Sequence, residues 1–570
     1  MNLRPATELL SAADVMRVDV NFTMGEMHVM SNSRMVQARP IAAWMLALTT
    51  LGGELARGQE ITPRWEVSPA PQAAPAGSSL RIAGDEIRLT LAEAVEIALT
   101  RNIALRSERY ARERARLGID QAMGIYDFGL SASVSAAEDE NPAASNLDGA
   151  EIQKQKRNGL SVGGSQLLPT GGVAGILWTN NRYETNSSFS LLNPSFSTGV
   201  DFSLTQPILQ GFGRQATDYG IEVARVGDQI SQELFTAQII QTVQRVENAY
   251  WLLIAARDQL RVAEESLRLA QELHDNNRIR VEVGTLAPLE LVSSEAQIAT
   301  REEEIIRARG TIGDAEDLLF FLLNIEQGDA WSKTIIPETD PEIEQPKVTV
   351  EESIATALAT RTEIAAQELE LKALEIDQAF YAQDLKPRLD LKATYGLNGL
   401  GGDVLLRDDE GNVIGTLPGG WDDAMDQVTG WDFPGWVVGL EFSVPLQNRS
   451  AKARKAIADV ALEQGRLASE QLELQITTEV RAAVRNLETS RQQLESARVS
   501  LRLAERNLDA ERKKFDNGLS TSFQVLEIQD DLSAAGSRVV AATTGYRRAL
   551  VEYYRATGKL LERSGVRVVS

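Results

Sequence analysis

The 570-residue sequence has no cysteine and only two histidines, His28 and His274. The lack of cysteine excludes disulfide scaffolds, thiolate metal sites, cysteine nucleophiles and a lipidated N-terminal cysteine. Two histidines are too few for most zinc or histidine-base chemistry. The net charge of −23 disfavours non-specific binding of nucleic acid, whose phosphates attract basic surfaces. The sequence therefore predicts no cofactor, no metal site and no nucleic-acid partner.

Long apolar runs are also missing, apart from one short run near the N-terminus. Residues 41–51 are apolar and follow Arg39. A helix needs about 20 apolar residues to cross a bilayer, so this run predicts a cleaved secretory signal peptide. Acidic residues upstream of Met35 are unusual in such a signal, so we expect translation to start there or nearby, with a genuine long pre-segment as the alternative. We assign 1–58 to an upstream extension and signal peptide, and 59–79 to a proline-rich lead-in.

The rest of the chain contains one pattern twice. The sequence SLRLA at Ser266–Ala270 recurs at Ser500–Ala504, an offset of 234 residues (500 − 266 = 234). Two copies are too few for a solenoid, so the pattern predicts a pseudo-symmetric protomer. We place the first repeat at 80–325, a linker at 326–347 and the second repeat at 348–570.

Each repeat is expected to begin with one helix, at Leu91–Met123 and at Glu351–Ala382, and to end with a long helical hairpin. Seams of mainly apolar residues spaced alternately by three and four, with Arg and Glu at some positions, run along the first long helix of each hairpin, which predicts left-handed supercoiling. The first long helix, from about Gln215, would run roughly 100 Å at 1.5 Å per residue, so its partners must be other long helices. The hairpin tips are expected near Gly284 and Gly518, since glycine readily adopts the left-handed conformation that ends a helix. An ordinary coiled-coil rod is the alternative.

Four segments alternate apolar and polar residues, at 128–135, 200–205, 388–395 and 436–444. Such segments suit a membrane barrel with lipid outside and water inside, although a soluble sandwich gives the same alternation. Aromatic residues near the strand ends favour the barrel, because barrels carry aromatic girdles. These residues are Tyr395, Trp421, Trp431 and Trp436.

Four strands cannot close a barrel, since the smallest outer-membrane barrels need about eight. The strands must therefore be pooled between chains, because lipid does not tolerate open sheet edges. A further hairpin is expected at Gly159–Leu168 and Val173–Arg182. The sequence leaves open whether this hairpin joins the barrel or projects from it.

Both repeats resemble the outer-membrane efflux protein family, the TolC-like channels. The resemblance rests on the tandem repeat, the helical tips, the strand-to-helix junctions Leu204–Leu209 and Phe442–Leu446, and the ending Tyr546–Tyr554. Pro207 and Pro445 at the junctions end a strand ladder and permit a sharp change of direction. The resemblance implies a homotrimer with a shared membrane β-barrel, to which each chain contributes about four strands, joined to a long α-helical coiled-coil barrel.

The resemblance also implies a function. It indicates a passive exit duct of a tripartite efflux or type I secretion system, placed in the outer membrane of a Gram-negative bacterium and extending into the periplasm. The duct would stay closed at its inner end until a periplasmic adaptor protein and an inner-membrane pump engage it. No enzyme is indicated. The alternative is a periplasmic coiled-coil adaptor or scaffold protein without a pore.

Two sets of candidate site residues follow from the same resemblance. The helix breaks correspond to the family's adaptor-docking tips, with a plain helical turn as the alternative. Carboxylates just past the tips correspond to the acidic ring of the family's periplasmic gate, although one aligned position is neutral here; solvated helix faces are the alternative. The docking candidates are Val283, Gly284, Thr285, Gly518 and Leu519, and the gate candidates are Glu290, Gln524, Glu527, Asp530 and Asp531.

Overall fold

The helices and strands run through the same order twice in the computed structural model, which describes residues 81–142, 149–339, 345–408 and 413–567. Each half has two short helices, then strands, then a very long helix followed by one of about half its length. The predicted signal peptide, start codon and lead-in lie outside the described residues. The helices are α1 (Leu91–Arg101), α2 (Ile103–Met123), α3 (Arg214–Thr217), α4 (Tyr219–Glu282), α5 (Pro288–Leu323), α6 (Val350–Thr360), α7 (Thr362–Gln383), α8 (Trp421–Gly430), α9 (Arg449–Asp516), α10 (Ser522–Ala556) and α11 (Leu560–Arg563).

The first helix predicted in each half is in fact two helices. The break falls at Asn102 in the first half and at Arg361 in the second, both with an extended ψ near 130°. The Asn102 side chain accepts hydrogen bonds from the backbone N–H groups of Ala104 and Leu105, and it donates one to the carbonyl of Leu322 at 2.8 Å. These bonds satisfy amides that the break would otherwise leave unpaired.

The apolar seam predicted on the long helices lies in the interior. Val243, Val246 and Leu253 of α4 are buried, as are Val480 and Leu487 of α9. At each seam the long helix packs against its own hairpin partner, α5 or α10, and α4 also packs against α10. Helical partners for both long helices are thus present within the chain itself, although α5 and α10 are only about half as long.

Charged residues of the first seam are paired inside the chain. Arg257 of α4 lies 3.3 Å from Glu316 of α5, and the Glu316 carboxylate also accepts the Ile335 N–H at 2.9 Å. Burial raises the pKa of Glu316 against these two favourable contacts. Glu247, also buried on α4, accepts from Arg563 at 3.0 Å and so ties the C-terminal segment to this helix.

The strands of both halves join in one large antiparallel sheet. In each half, these strands follow the two short helices and precede the long helical hairpin. The strand order in the sheet is β10-β8-β6-β5-β4-β3, with the short β9 paired to the end of β8. A separate three-stranded sheet, β1-β2-β7, joins the start of the described chain to the segment after α5. The strands are β1 (Arg81–Ala83), β2 (Glu86–Leu89), β3 (Gly129–Pro142), β4 (Ile152–Leu167), β5 (Val173–Thr185), β6 (Leu192–Pro207), β7 (Thr334–Pro337), β8 (Arg388–Arg407), β9 (Val413–Leu417) and β10 (Pro434–Ser443).

The described part of the chain has more long strands in its large sheet than the four per chain that the resemblance implies for the barrel. The four alternating segments are parts of β3, β6, β8 and β10, but the extra hairpin forms β4 and β5, which lie in the same sheet between β3 and β6. Six long strands therefore make up the sheet. The alternation is lost at 153–158, where every residue is polar or charged, so the beginning of β4 carries no strand signal in the sequence.

The register keeps the two faces of this sheet chemically distinct. One row across it joins Leu130, Gly164, Ile176, Phe202, Tyr395 and Trp436, and the next row joins Ser131, Gly163, Leu177, Asp201, Gly396 and Gly435. We call the face of the first row the apolar face and that of the second the polar face. The apolar face is uncovered over β3 and β10, where Leu130, Val134 and Trp436 are each more than 70% exposed. No soluble-sandwich core therefore forms over these two strands.

Helix α8 was not predicted, and it packs on the apolar face at the end of β8 far from the strand–helix junctions. Gln427 of α8 donates to the carbonyl of Leu400 and accepts its N–H, so its side chain continues the ladder where β10 stops. Trp421 and Trp431 flank α8, whereas only Tyr395 and Trp436 lie on paired strands. The Trp431 ring is 5.9 Å from that of Tyr395.

Gly399 is expected to be essential for the seating of α8, because a Cβ at that position would collide with the Ala424 carbonyl. We expect Gly399→Ala to displace α8, at a cost of about 1–3 kcal/mol typical of overpacking. A cysteine placed at the buried Val428 reports on this displacement. It should react with a water-soluble maleimide several-fold faster in the Gly399→Ala background. Gly439→Ala, whose Cβ meets no atom within 4 Å, is the control and should leave the rate unchanged.

Candidate functional site

The junctions between strands and helices lie at one end of the large sheet. Pro207 is the last residue of β6, and Pro445 lies between β10 and α9. After Pro207 the chain turns through two glycines with positive φ, Gly211 and Gly213, before α3. The Asp384 carboxylate, at the end of α7, lies 2.8 Å from Arg454 of α9. The junctions thus bring the starts of both long helices next to the strands.

The two predicted helix breaks have the same geometry. Gly284 and Gly518 adopt φ values of +79° and +74°, and nothing lies within 4 Å of a Cβ built on either. Thr285 N–H donates to the Arg280 carbonyl at 2.8 Å, and Leu519 N–H donates to the Lys514 carbonyl at 2.9 Å. These are the six-to-one bonds of a Schellman cap. Glycine is required for the left-handed backbone and not for space.

The two breaks lie side by side. Arg280 donates to the Phe515 carbonyl at 2.9 Å, stacks 4.1 Å from the Phe515 ring and reaches Asp516 at 3.3 Å. Asn277, which is fully buried, donates to the Ser522 hydroxyl at 2.7 Å. The two hairpin ends therefore form one surface. We call this surface, made of 279–292 and 515–523, the tip pair.

The tip pair leaves several large apolar side chains in water. Docking candidates Val283 and Leu519 are 67% and 78% exposed. Glu511, just before the second break, pairs with Lys514 at 2.8 Å and accepts from Ser520 at 2.5 Å; these contacts lower its pKa. The Glu511 carboxylate is thus paired within the chain, whereas the apolar side chains of Val283 and Leu519 remain exposed to water. The other exposed apolar side chains here are Ile279, Leu289, Val292 and Phe523.

The predicted gate residues do not form one cluster within the chain. Glu290 is half-buried in the first turn of α5, whereas Glu527 and Asp531 are exposed on α10. Gln524 belongs to a capping box with Thr521: the Gln524 N–H donates to the Thr521 hydroxyl at 3.3 Å, and the Gln524 side-chain oxygen accepts the Thr521 N–H at 3.4 Å. Gln524 therefore caps α10.

Asp530 has a partner that the sequence did not suggest. It forms an ion pair with Arg301 of α5, whose side chain is only 10% exposed and which also lies 3.0 Å from Glu304. This ion pair connects the return helices of the two hairpins, α5 and α10. The only sequence signal for Arg301 is the i,i+3 spacing to Glu304, which is too common on helices to single it out.

The comparisons with known proteins assign the family. The chain matches the family described as outer membrane efflux protein over residues 94–324 and 353–559. This match covers most of the sequence, so the chain belongs to that family, and its location is the outer membrane with an extension into the periplasm. No curated protein matches the sequence significantly.

Solved structures of low sequence identity share the fold. The CmeC outer membrane channel of Campylobacter jejuni has 16% identity and a TM-score of 0.58, covering 82% of this chain and 86% of its own. VceC of Vibrio cholerae has 14% identity and a TM-score of 0.57, covering 82% and 96%. The open state of the MtrE channel of Neisseria gonorrhoeae has 17% identity and a TM-score of 0.52, covering 82% and 89%. The predicted mixed fold of strands and long helices is confirmed at this level.

In the described part of the chain, no helix contains an 18-residue stretch apolar enough to span a bilayer.

The tip geometry predicts opposite effects of one substitution at two exposed glycines. Gly518→Ala should lower stability by about 1 kcal/mol, since a Cβ disfavours a positive φ. Gly310→Ala, within α5, should raise it by about 0.5–1 kcal/mol because alanine is the better helix former. The midpoints of thermal unfolding, followed by circular dichroism in detergent, should move in opposite directions. Equal shifts would contradict the assigned left-handed cap.

Proposed function

We propose that this chain is the protomer of a passive exit duct for a tripartite efflux or type I secretion system. The observation that carries the proposal is the uncovered apolar face of an antiparallel sheet, in a chain that belongs to the outer membrane efflux family. Such a face is stable against lipid and unstable in water. A periplasmic scaffold without a pore would leave this face in water, so nothing favours the alternative.

We further propose that three chains pool their sheets into one barrel. The sheet has open edges at β3 and β10, and an unpaired backbone edge costs several kcal/mol per group in hydrocarbon. β3 and β10 run in opposite directions in this all-antiparallel sheet, so β3 of one copy can pair antiparallel with β10 of the next. The long helices would then wall a tunnel in the periplasm.

The proposed gate lies just beyond the tip pair. Three copies would bring Glu527, Asp530 and Asp531 of neighbouring chains close to the tunnel axis, where their negative charges attract cations. Within each chain, the Arg301–Asp530 ion pair links α10 to α5. We infer that this pair stabilises the closed arrangement, since Arg301 would lose its partner if the return helices separated.

Loss of Arg301 should open the channel. In planar bilayers, Arg301→Ala is expected to raise the mean single-channel conductance several-fold over the unaltered protein, because the ion pair between α5 and α10 is gone. Arg307→Ala, which removes an exposed ion pair with Glu303 on the same helix, is the matched control and should leave conductance unchanged. Proteins that never conduct would refute the duct, and conductance equal in both arginine variants would refute the gate alone.

Glu527→Gln should weaken the block of the channel by divalent cations, because it removes one negative charge per chain from the proposed gate.

The proposed partner at the inner end is the periplasmic adaptor, which works with an inner-membrane pump. The tip pair offers exposed Val283 and Leu519 on two adjacent turns fixed by Gly284 and Gly518. Exposed apolar side chains on a rigid backbone suit hydrophobic docking to another helical hairpin, since little conformational entropy is lost on binding. Thr285 contributes at the first turn by capping the Arg280 carbonyl with its hydroxyl at 3.0 Å.

A charge at the tip should abolish docking. We expect Leu519→Glu to lose the detergent-stable complex with the cognate adaptor and to sensitise cells to the exported compound, because a carboxylate would be desolvated at the interface. Leu519→Met keeps the apolar surface and should keep both. Adaptor capture and outer-membrane levels of the duct are measured together. Undiminished capture by Leu519→Glu at normal levels would contradict the assignment.

A further inference from the structure

Among the residues that the structure describes, the hairpin β4–β5 occurs only in the first half of the chain. In the second half, β8 is followed by β9, α8 and β10, so the two halves contribute different numbers of long strands to the sheet. β3 pairs with β4 along its whole length, from Gly129 with Ser165 to Pro142 with Ile152. β5 pairs with β6 from Val173 with Thr205 to Tyr183 with Ser195. The hairpin is thus hydrogen-bonded on both sides.

We propose that this hairpin is a permanent part of the barrel wall, so that the assembled trimer has eighteen strands and a correspondingly wide lumen. The inference rests on the proposed trimeric duct. It differs from the twelve strands implied by four per chain.

The side chains of the hairpin match the rest of the wall. On the apolar face, β4 and β5 present Leu160, Val162, Ile176 and Trp178, level with Val200 of β6 and its neighbours. A hairpin that projected into water would expose these side chains for no gain. Their agreement with the faces of β3 and β6 indicates that β4 and β5 meet the same two solvents.

The turn of the hairpin is fastened to the strand–helix junction. The Gln206 side-chain amide donates to the Thr170 carbonyl at 3.0 Å, and the Thr170 hydroxyl donates to the Gln206 amide oxygen at 2.7 Å. Gly213 N–H also donates to the Thr170 carbonyl, at 2.9 Å. At Gly171 any side chain would collide with the Gly211 carbonyl. The hairpin is therefore anchored at the base of the sheet, where β6 passes into the helices.

The number of strands also allows closure. Six strands that alternate in direction leave β3 and β10 antiparallel, so three copies close without a parallel pair. Eighteen strands spaced about 4.8 Å apart and tilted by about 40° give a backbone diameter of roughly 36 Å, against roughly 24 Å for twelve.

Side chains of the hairpin fill only part of this added width. On the polar face, β4 presents Gly159, Ser161, Gly163 and Ser165, all small and uncharged, and β5 adds Gly175. The larger side chains on the same face include Arg157 of β4 and Leu177 and Tyr183 of β5. Small polar side chains leave a hydrated lumen. We therefore expect the outer barrel to be hydrated and wider than a barrel of twelve strands.

Disulfide cross-linking tests the position of the hairpin. The sequence has no native cysteine, so only the introduced cysteines can form a disulfide. Ala132 lies directly opposite Val162, and Val200 lies two strands further, roughly 14 Å from Ala132 at 4.8 Å per strand. In trimers taken from outer membranes, Ala132→Cys with Val162→Cys should form a disulfide. Ala132→Cys with Val200→Cys is the matched pair and should not. The reverse pattern would place β3 beside β6 and expel the hairpin from the wall.

A cryo-electron microscopy map of the purified trimer in lipid nanodiscs then counts the strands. Eighteen strands support the inference. Twelve strands in a conducting trimer overturn it while leaving the proposed duct intact. A chain that forms no trimeric barrel overturns the proposed function and this inference together.

Discussion

The structure depends on contact between lipid and the apolar face of the large sheet. That face is continuous across six strands and uncovered over β3 and β10, and the opposite face carries small polar and charged side chains. Water disfavours such a surface by roughly 25 cal/mol per Å² of apolar area, so it persists only where lipid replaces water. The same lipid forbids the unpaired edges of β3 and β10. Membrane insertion and assembly are therefore two consequences of one constraint.

The helices extend this arrangement away from the membrane. Strands pass into helices near Pro207, the last residue of β6, and Pro445, two residues after β10. The two long helices then run 64 and 68 residues before they reverse. Reversal needs a left-handed residue at Gly284 and Gly518. Because Arg280 joins the two breaks, the inner ends of both hairpins behave as one surface. A change at that surface is thus connected mechanically to the return helices, where Arg301 holds Asp530.

Much of this fold is readable from the sequence, because the repeat and the periods of the apolar residues are long and regular. The heptad seams, the glycine breaks and parts of all six long strands follow from them. The start of β4 cannot be predicted in this way, since residues 153–158 are polar or charged on both faces of the strand. Helix α8 was missed because it is short and acidic, with only Ala424 and Val428 buried. The breaks at Asn102 and Arg361 interrupt strong helical patterns by side-chain and tertiary contacts that no local pattern encodes.

The candidate site was predictable in position more than in chemistry. The tips lie where the glycines were expected, but the expected gate residue Gln524 serves as a helix cap. Asp530 is paired inside the chain by a buried arginine from the other repeat, 229 residues away in sequence (530 − 301 = 229). Such an ion pair depends on how the two hairpins pack, so the spacing of residues in the sequence does not reveal it.

The most direct test places a lipid-sensitive probe on each face of one strand. Single cysteines at Val438 and Gly439, adjacent residues of β10 on opposite faces, are labelled with a small fluorophore in reconstituted trimers. If the apolar face meets lipid, brominated lipid will quench the probe at position 438 and aqueous iodide will quench the probe at 439. Iodide quenching of both probes, with no effect of brominated lipid at 438, would contradict it.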